Sequence, residues 1–229
     1  MNKKAKAILC TASIVGVIGV AGVMAYLTDA DTATNTLTTG EVKIELQEPL
    51  WDEAPATDHT NITPNATIVK DPQVKNTGKN NAYIYLKVTV PAKEVITANA
   101  DGTRANNGAA TTTQLFTYDL ADNSKWVLIP GASGANVNST TNKTESYTYV
   151  YYYNEAVAPN ATTDKLFTSV KYANVIEGQN DNATVDIDID AYAIQSENLP
   201  ANTSIADAYT IYVNQNTTPA PAPTPDPGN

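Results

Sequence analysis

Ala82-Tyr-Ile-Tyr-Leu-Lys-Val-Thr-Val90 sets the period of the chain. Ala82, Ile84, Leu86, Val88 and Val90 fall on one face, and Tyr83, Tyr85, Lys87 and Thr89 on the other, because successive side chains of a strand point to opposite sides. Pro91 follows, and a residue without an amide donor is expected to end the strand there. The same period recurs on both sides. Val42, Ile44 and Leu46 alternate with Glu41, Lys43, Glu45 and Gln47. Ser146-Tyr-Thr-Tyr-Val-Tyr-Tyr-Tyr153 puts Tyr147, Tyr149, Tyr151 and Tyr153 on one face. Val185, Ile187 and Ile189 alternate with Asp186, Asp188 and Asp190, in a strand expected over 184–194.

Shorter strands are expected at 66–76, where Pro72 marks an edge or a bulge, and at 114–119, 125–129 and 165–172. Turns separate them at Asn76-Thr-Gly-Lys-Asn-Asn81 and Pro130-Gly131. Residues 97–113 form a Gly/Asn/Thr/Ala-rich loop. One helix is expected, at 204–213: Ser204-Ile-Ala-Asp207 has capping-box form with Asp in place of Glu, and Ile205, Tyr209 and Tyr212 share a face. Eight or nine short strands with this punctuation predict an all-β fold, a jelly-roll-like antiparallel β-sandwich with one short C-terminal helix.

The two ends read differently from the middle. Lys3, Lys4 and Lys6 precede an apolar run from Ala7 to Ala25 that closes on the small residues Ala21, Gly22 and Ala25, the pattern of a secretory signal cleaved between Ala25 and Tyr26. A retained anchor is the competing reading, disfavoured by Gly16, Gly19 and Gly22 within the run. At the other end TTPAPAPTPDPGN cannot bury a core and reads as an extended tail. The expected division is a signal peptide at 1–25, an N-terminal segment at 26–39, a sandwich at 40–214 and a disordered Pro-rich tail at 215–229.

Cys10 is the only cysteine and lies in the signal, so no disulfide braces the mature chain. Removing residues 1–25 takes away three lysines and no acid, moving the formal charge from −10 to −13. A chain that acidic is not expected to bind nucleic acid, and it meets a membrane only before cleavage.

Residues that carry chemistry are sparse. His59 is the only histidine, in a segment that reads as a solvated loop, and it has neither a second imidazole nor a thiol to complete a zinc site. No enzyme activity, cofactor or metal is expected. Asp186, Asp188 and Asp190 stand on one strand face at roughly 6–7 Å steps. That places them as a solvated face or a subunit contact, with a calcium site as the lesser reading. The tyrosine stripe has two readings as well: an aromatic ladder covering a sheet, or an adhesive, glycan-stacking surface. Asn61, Asn138 and Asn160 lie in Asn-x-Ser/Thr sequons within an Asn/Thr-rich background.

The junction between signal and mature chain is the most specific stretch. Gly22-Val-Met-Ala-Tyr-Leu-Thr-Asp29, Asn35-Thr-Leu-Thr-Thr-Gly40 and Val42-Lys-Ile-Glu-Leu46 resemble the start of the TasA/camelysin family of exported Gram-positive proteins. Ile62-Thr-Pro-Asn65, Val74-Lys-Asn-Thr-Gly78 before the Tyr83 to Val90 strand, and Val185 to Gln195 with Ala206-Asp-Ala-Tyr209 continue the match in order. Residues 97–180 carry none of it.

The resemblance implies a jelly-roll subunit of a biofilm matrix fibre or pilus-like filament, secreted to the extracellular matrix or cell surface. It also implies processing by a SipW-type signal peptidase, assembly with copies of itself, and an accessory or anchoring matrix protein as a further partner. It further implies that the N-terminal segment adds to a neighbour as a donor strand by β-augmentation. Tyr26, Leu27, Ala30, Ala33 and Leu37 are its apolar positions and Gly40 its hinge. Camelysins have been described as metalloproteases; one histidine and no thiol do not supply that chemistry here. The alternative function is a monomeric cell-surface adhesin or glycan-binding module using the tyrosine face.

Overall fold

A computed structural model of the protein describes residues 40–176, 178–180 and 184–217. The chain divides into a unit at 1–38 and a unit at 39–229, and the described residues belong to the second. Eleven strands occur among them: β1 Ile44–Gln47, β2 Thr67–Val69, β3 Gln73–Asn76, β4 Ala82–Val95, β5 Thr111–Gln114, β6 Phe116–Thr117, β7 Trp126–Leu128, β8 Gly134–Val137, β9 Thr144–Tyr153, β10 Ser169–Tyr172 and β11 Asp188–Gln195. Two α-helices, α1 (Pro49–Glu53) and α2 (Ile205–Thr217), complete the list. Every strand pair is antiparallel. The expected all-β class is the one observed.

The largest sheet runs β11-β4-β9-β7, with β8 on β9 and β5 on β4; a second runs β2-β10-β6, and β1 pairs with β3. One core joins all three. Ile84, Leu86 and Val88 of β4 pack in it with Ile68 of β2, Val170 of β10, Phe116 of β6 and Val74 of β3. The alternation read in β4 is thus the inner face of the main sheet.

Pro91 does not end β4, which continues to Val95. Pro91 opposite Ser146 closes the pairing with β9, and Ala92 opposite Gln114 opens the pairing with β5. The missing amide falls where one partner hands over to the next, and the Pro91 carbonyl accepts from the Leu115 amide at 2.8 Å.

The strand expected at 66–76 is two strands. Lys70-Asp-Pro72 breaks it, sending β2 into the sheet of β10 and β3 to β1. β3 therefore does not form a hairpin with β4. Between them, buried Asn76 holds the turn: its Nδ2 donates to the carbonyls of Asn80 and Val157 at 2.9 and 2.8 Å, and its Oδ1 accepts from the Gly78 amide at 3.0 Å. β1 begins at Ile44, not at Val42, which is 38% exposed. β8, in the Gly/Asn-rich stretch after Pro130, is a strand that periodicity did not indicate. β10 is confined to Ser169–Tyr172 and β11 starts at Asp188, both shorter than expected.

α2 lies on the outer face of the main sheet. Tyr85, Ile194 and Ala208 form a second buried cluster there, joined by Tyr152, Tyr192, Tyr209 and Tyr212. Tyr192 of β11, Tyr85 of β4 and Tyr152 of β9 stand directly opposite one another across three strands. The expected cap is in place, with the Asp207 amide donating to Ser204 Oγ at 3.1 Å and Ser204 Oγ bonded to Asp207 Oδ2 at 2.7 Å. The helix runs to Thr217, past the boundary expected at 214.

Asparagine does the turning. Among the described residues every non-glycine residue with positive φ is asparagine, including Asn61 and Asn160 of the sequons. Asn138, the third, accepts from the amides of Thr140 and Thr141 through Oδ1 at 2.9 and 3.0 Å, a side-chain-bonded turn.

Candidate functional site

Ala25, Tyr26, Leu27, Ala30, Ala33 and Leu37 lie outside the described residues. Gly40 is the first residue described, and it is exposed. Immediately after it the chain is fastened to the turn before β4. The Glu41 amide donates to Asn80 Oδ1 at 2.9 Å, the Lys79 amide to the Glu41 carbonyl at 2.9 Å, and the Thr77 and Gly78 amides both to the Lys43 carbonyl at 2.9 Å. A Cβ on Gly40 would stand 2.8 Å from Asn80 Cγ, so a side chain there would push the Asn80 amide away from its bond to Glu41.

Beyond β1 a cleft of about 850 Å³ opens between the three-stranded sheet and the segment leading into β11, a size typical of a binding site. Ile68, Phe116 and Val170 line it from β2, β6 and β10; Val185 and Ile187 line it from the other side, and Ile62 closes part of its rim. Two sheet margins border it. β2 is the outer strand of its sheet, and β11 is the outer strand of the main sheet, paired on one side with β4. Among the described residues, 184–187 belong to no strand. Thr60, Asn61, Asn180, Thr184, Asp186 and Asp188 make the rest of its rim polar. A trough of mixed character beside outer strands offers side-chain pockets together with backbone donors and acceptors.

One end of the cleft is polar and aromatic. Trp51 stacks on His59 with ring centroids 3.6 Å apart and planes 8° apart. Lys70 Nζ lies 4.5 Å from the centre of the Trp51 ring and pairs with Glu48 Oε2 at 2.9 Å. The segment around His59 is exposed as expected, but its ring is half-buried: it ends a short 3₁₀ turn, Ala56–His59, and its Nε2 is buried without a hydrogen-bond partner. The stack on tryptophan is what draws the ring in.

The aspartates resolve simply. Asp190 pairs with Lys87 at 2.6 Å, while Asp186 and Asp188 are exposed. The side-chain contact with Asp190 is the main cause holding the Lys87 amine protonated above its ordinary range. Among the described residues no group of three or more His, Cys, Asp or Glu side chains is arranged to hold a metal.

The tyrosine stripe of β9 faces inward. Tyr151 and Tyr153 are 6% and 4% exposed, and Tyr149 packs partly buried against the same core. Their hydroxyls are engaged within the molecule: Tyr151 with Tyr118 at 3.1 Å, Tyr153 donating to Asp164 at 3.1 Å, and Tyr149 to Gln114 Oε1 at 2.6 Å. Burial pushes the phenol of Tyr118 well above the ordinary tyrosine range and raises that of Tyr151. Of the two readings of the stripe, the geometry is that of aromatics covering a sheet.

Sequence reasoning did not single out the cleft. Its walls come from segments more than a hundred residues apart, and only the Val185-x-Ile187 alternation hinted at one of them. No helix among the described residues is long and apolar enough to cross a membrane. No protein-family model matches the chain, and no curated protein matches it.

Proposed function

We propose that this protein is a secreted structural subunit of an extracellular fibre, of the TasA/camelysin kind, in which residues 26–37 of one copy lie as a strand in the cleft of the next. The observation that carries the reading is the cleft itself, a trough with an apolar floor at Ile68, Phe116 and Val170 and a polar rim, bordered by the outer strands of two sheets. A segment rich in threonine with apolar residues at Tyr26, Leu27, Ala30, Ala33 and Leu37 has the chemistry to fill it. Main-chain hydrogen bonds would supply affinity and the side-chain pockets register. The anchoring of 41–43 to the turn at 77–80 gives the strand a fixed point of departure.

On this reading a SipW-type signal peptidase frees the donor by cutting after Ala25, so the subunit is held at the membrane until cleavage and joins copies of itself afterwards. An accessory or anchoring matrix protein would fix the fibre to the cell. No enzymatic step is required of the subunit. The adhesin alternative has less to draw on, because the tyrosines it would use are turned into the core.

Electron microscopy of purified protein beginning at Tyr26 tests the proposal. Fibres with a subunit repeat are expected from the full mature chain, and only monomers from a chain starting at Gly40. Ile187→Asp, at a half-buried cleft position, is expected to accept no donor while still donating to wild type. A chain starting at Gly40 that still polymerised would sink the donor-strand model. Mass spectrometry of the secreted protein is expected to show Tyr26 as its first residue.

A further inference from the structure

Asp71 is completely buried, at the point where the chain leaves β2 for β3. Its Oδ1 accepts from two amides, Leu50 at 3.0 Å and Trp51 at 3.3 Å. Lys165 Nζ stands 3.0 Å from Oδ2, yet Oδ2 makes no hydrogen bond: the amine is within reach of the carboxylate but not aligned with it. The two residues are carried by segments laced together. The Leu166 amide donates to the Pro72 carbonyl at 2.9 Å, and the Thr163 amide to the Val74 carbonyl at 2.9 Å. The Val74 amide in turn donates to Thr163 Oγ1 at 2.9 Å.

The Asp71 carboxylate is fully buried while the Lys165 side chain is 34% exposed, so the cost of desolvating the carboxylate offsets much of the attraction and the pair is a poor source of stability. The arrangement is better suited to removing the charges. We propose that Lys165 and Asp71 condense into an intramolecular amide that staples the domain. Lys165 Nζ attacks Asp71 Cγ, and the negative charge collecting on Oδ1 meets two amide donors already aimed at it. The carbon–oxygen bond to Oδ2 breaks. Two of the three ammonium protons leave with that oxygen as water, and the third remains on the new amide nitrogen. An ammonium and a carboxylate become one neutral amide and one water, with no oxidant or co-reactant. Holding the two groups together supplies the proximity that the reaction otherwise lacks.

The bond would close a chain loop from 71 to 165 and constrain the unfolded state as a long-range disulfide does. The described residues contain no cysteine with which to make one. This inference is independent of the fibre reading, since it concerns a single subunit.

Intact mass spectrometry of the purified mature chain decides it. The expected mass is one water below that of the sequence, and proteolysis is expected to release a branched peptide joining the Asp71 and Lys165 segments. Lys165→Arg keeps the positive charge and is expected to restore the full sequence mass and the two linear peptides. Because the first readout is on the wild-type protein, a variant that failed to fold would not blunt the test. A wild-type mass equal to the sequence mass, or a lost water mapped to any other pair, overturns the proposal.

Discussion

Replacing Tyr85 tests how the C-terminal helix is held. The Tyr85 side chain has no exposed surface, its ring centre is 5.2 Å from that of Tyr209, and its hydroxyl donates to the Ile205 carbonyl at 2.8 Å. Two contributions are separable. Tyr85→Phe deletes the hydrogen bond and leaves the packing. The Ile205 carbonyl is also placed to accept from the amide four residues on, so the loss is expected at about 1 kcal/mol. Tyr85→Ala removes the ring as well and opens a cavity beneath the helix, at a cost of about 3–5 kcal/mol. For a domain of this size that corresponds to roughly 10 °C in Tm.

Urea unfolding of the mature protein measures both differences, and amide exchange locates them. The helix touches the sheet through the outer cluster of Tyr85, Ile194 and Ala208, which is separate from the inner core. The alanine variant should therefore expose amides over 205–217 to exchange while those of β4 and β9 stay protected. A Tyr85→Ala variant within 1 kcal/mol of wild type, or a phenylalanine variant as damaged as the alanine one, would refute the assignment of the energy to buried ring area.

Alkali should unfold the domain abruptly. Burial raises the phenols of Tyr85 and Tyr118 far above the ordinary value of about 10 and also raises that of Tyr151. The folded state then keeps protons that the unfolded chain releases, so stability is full below about pH 10 and falls as pH rises above it. Thermal unfolding followed from neutral to strongly alkaline pH should show that fall, and phenolate absorbance should appear with unfolding; free titration of these rings in the native protein would contradict it. Gly78→Ala would place a Cβ 2.5 Å from the Glu41 carbonyl oxygen and 2.7 Å from the Lys43 nitrogen, backbone atoms that cannot swing aside. A loss of about 1–3 kcal/mol in denaturant titration is expected, with faster exchange over 40–47. Asn76→Ala removes three hydrogen bonds from a buried turn and should cost about 2–4 kcal/mol by the same titration, a value under half a kcal/mol being inconsistent with the turn's role.

What was legible in the sequence followed from local periodicity. The alternation of Ala82 to Val90 placed the inner face of β4 correctly, and Ser204 with Asp207 marked the start of α2. Period alone assigns residues to a shared face without saying which face is inside. That is why the stripe from Tyr147 to Tyr153 admits two readings in the sequence, and only the pairing of Leu86 and Val88 opposite Tyr151 and Tyr149 separates them. Proline misled once. Pro91 sits inside a strand because a change of partner there leaves no amide to satisfy, and Pro72, expected at an edge or a bulge, lies between two edge strands and marks a change of sheet as well. β8 escaped notice because all four of its residues are exposed, leaving no buried alternation to read. The cleft and the Asp71–Lys165 pair depend on tertiary approach between distant segments, for which a single sequence holds no local signal.

The main sheet also fixes the order in which the chain can fold. β4 finds its neighbours late: Leu86 lies opposite Tyr151 on one side and Ala191 on the other. A chain emerging N-terminus first at about 5–20 residues per second would wait roughly 5–20 s between the appearance of β4 and of β11. Throughout that interval the edge of β4 that faces β11 is unfilled, although β9 can already pair on its other side and β5 with Ala92–Val95. Pairing across such long sequence separations is slow even once the chain is complete. A polypeptide whose main sheet closes only when nearly its last strand arrives carries one open edge through most of its synthesis.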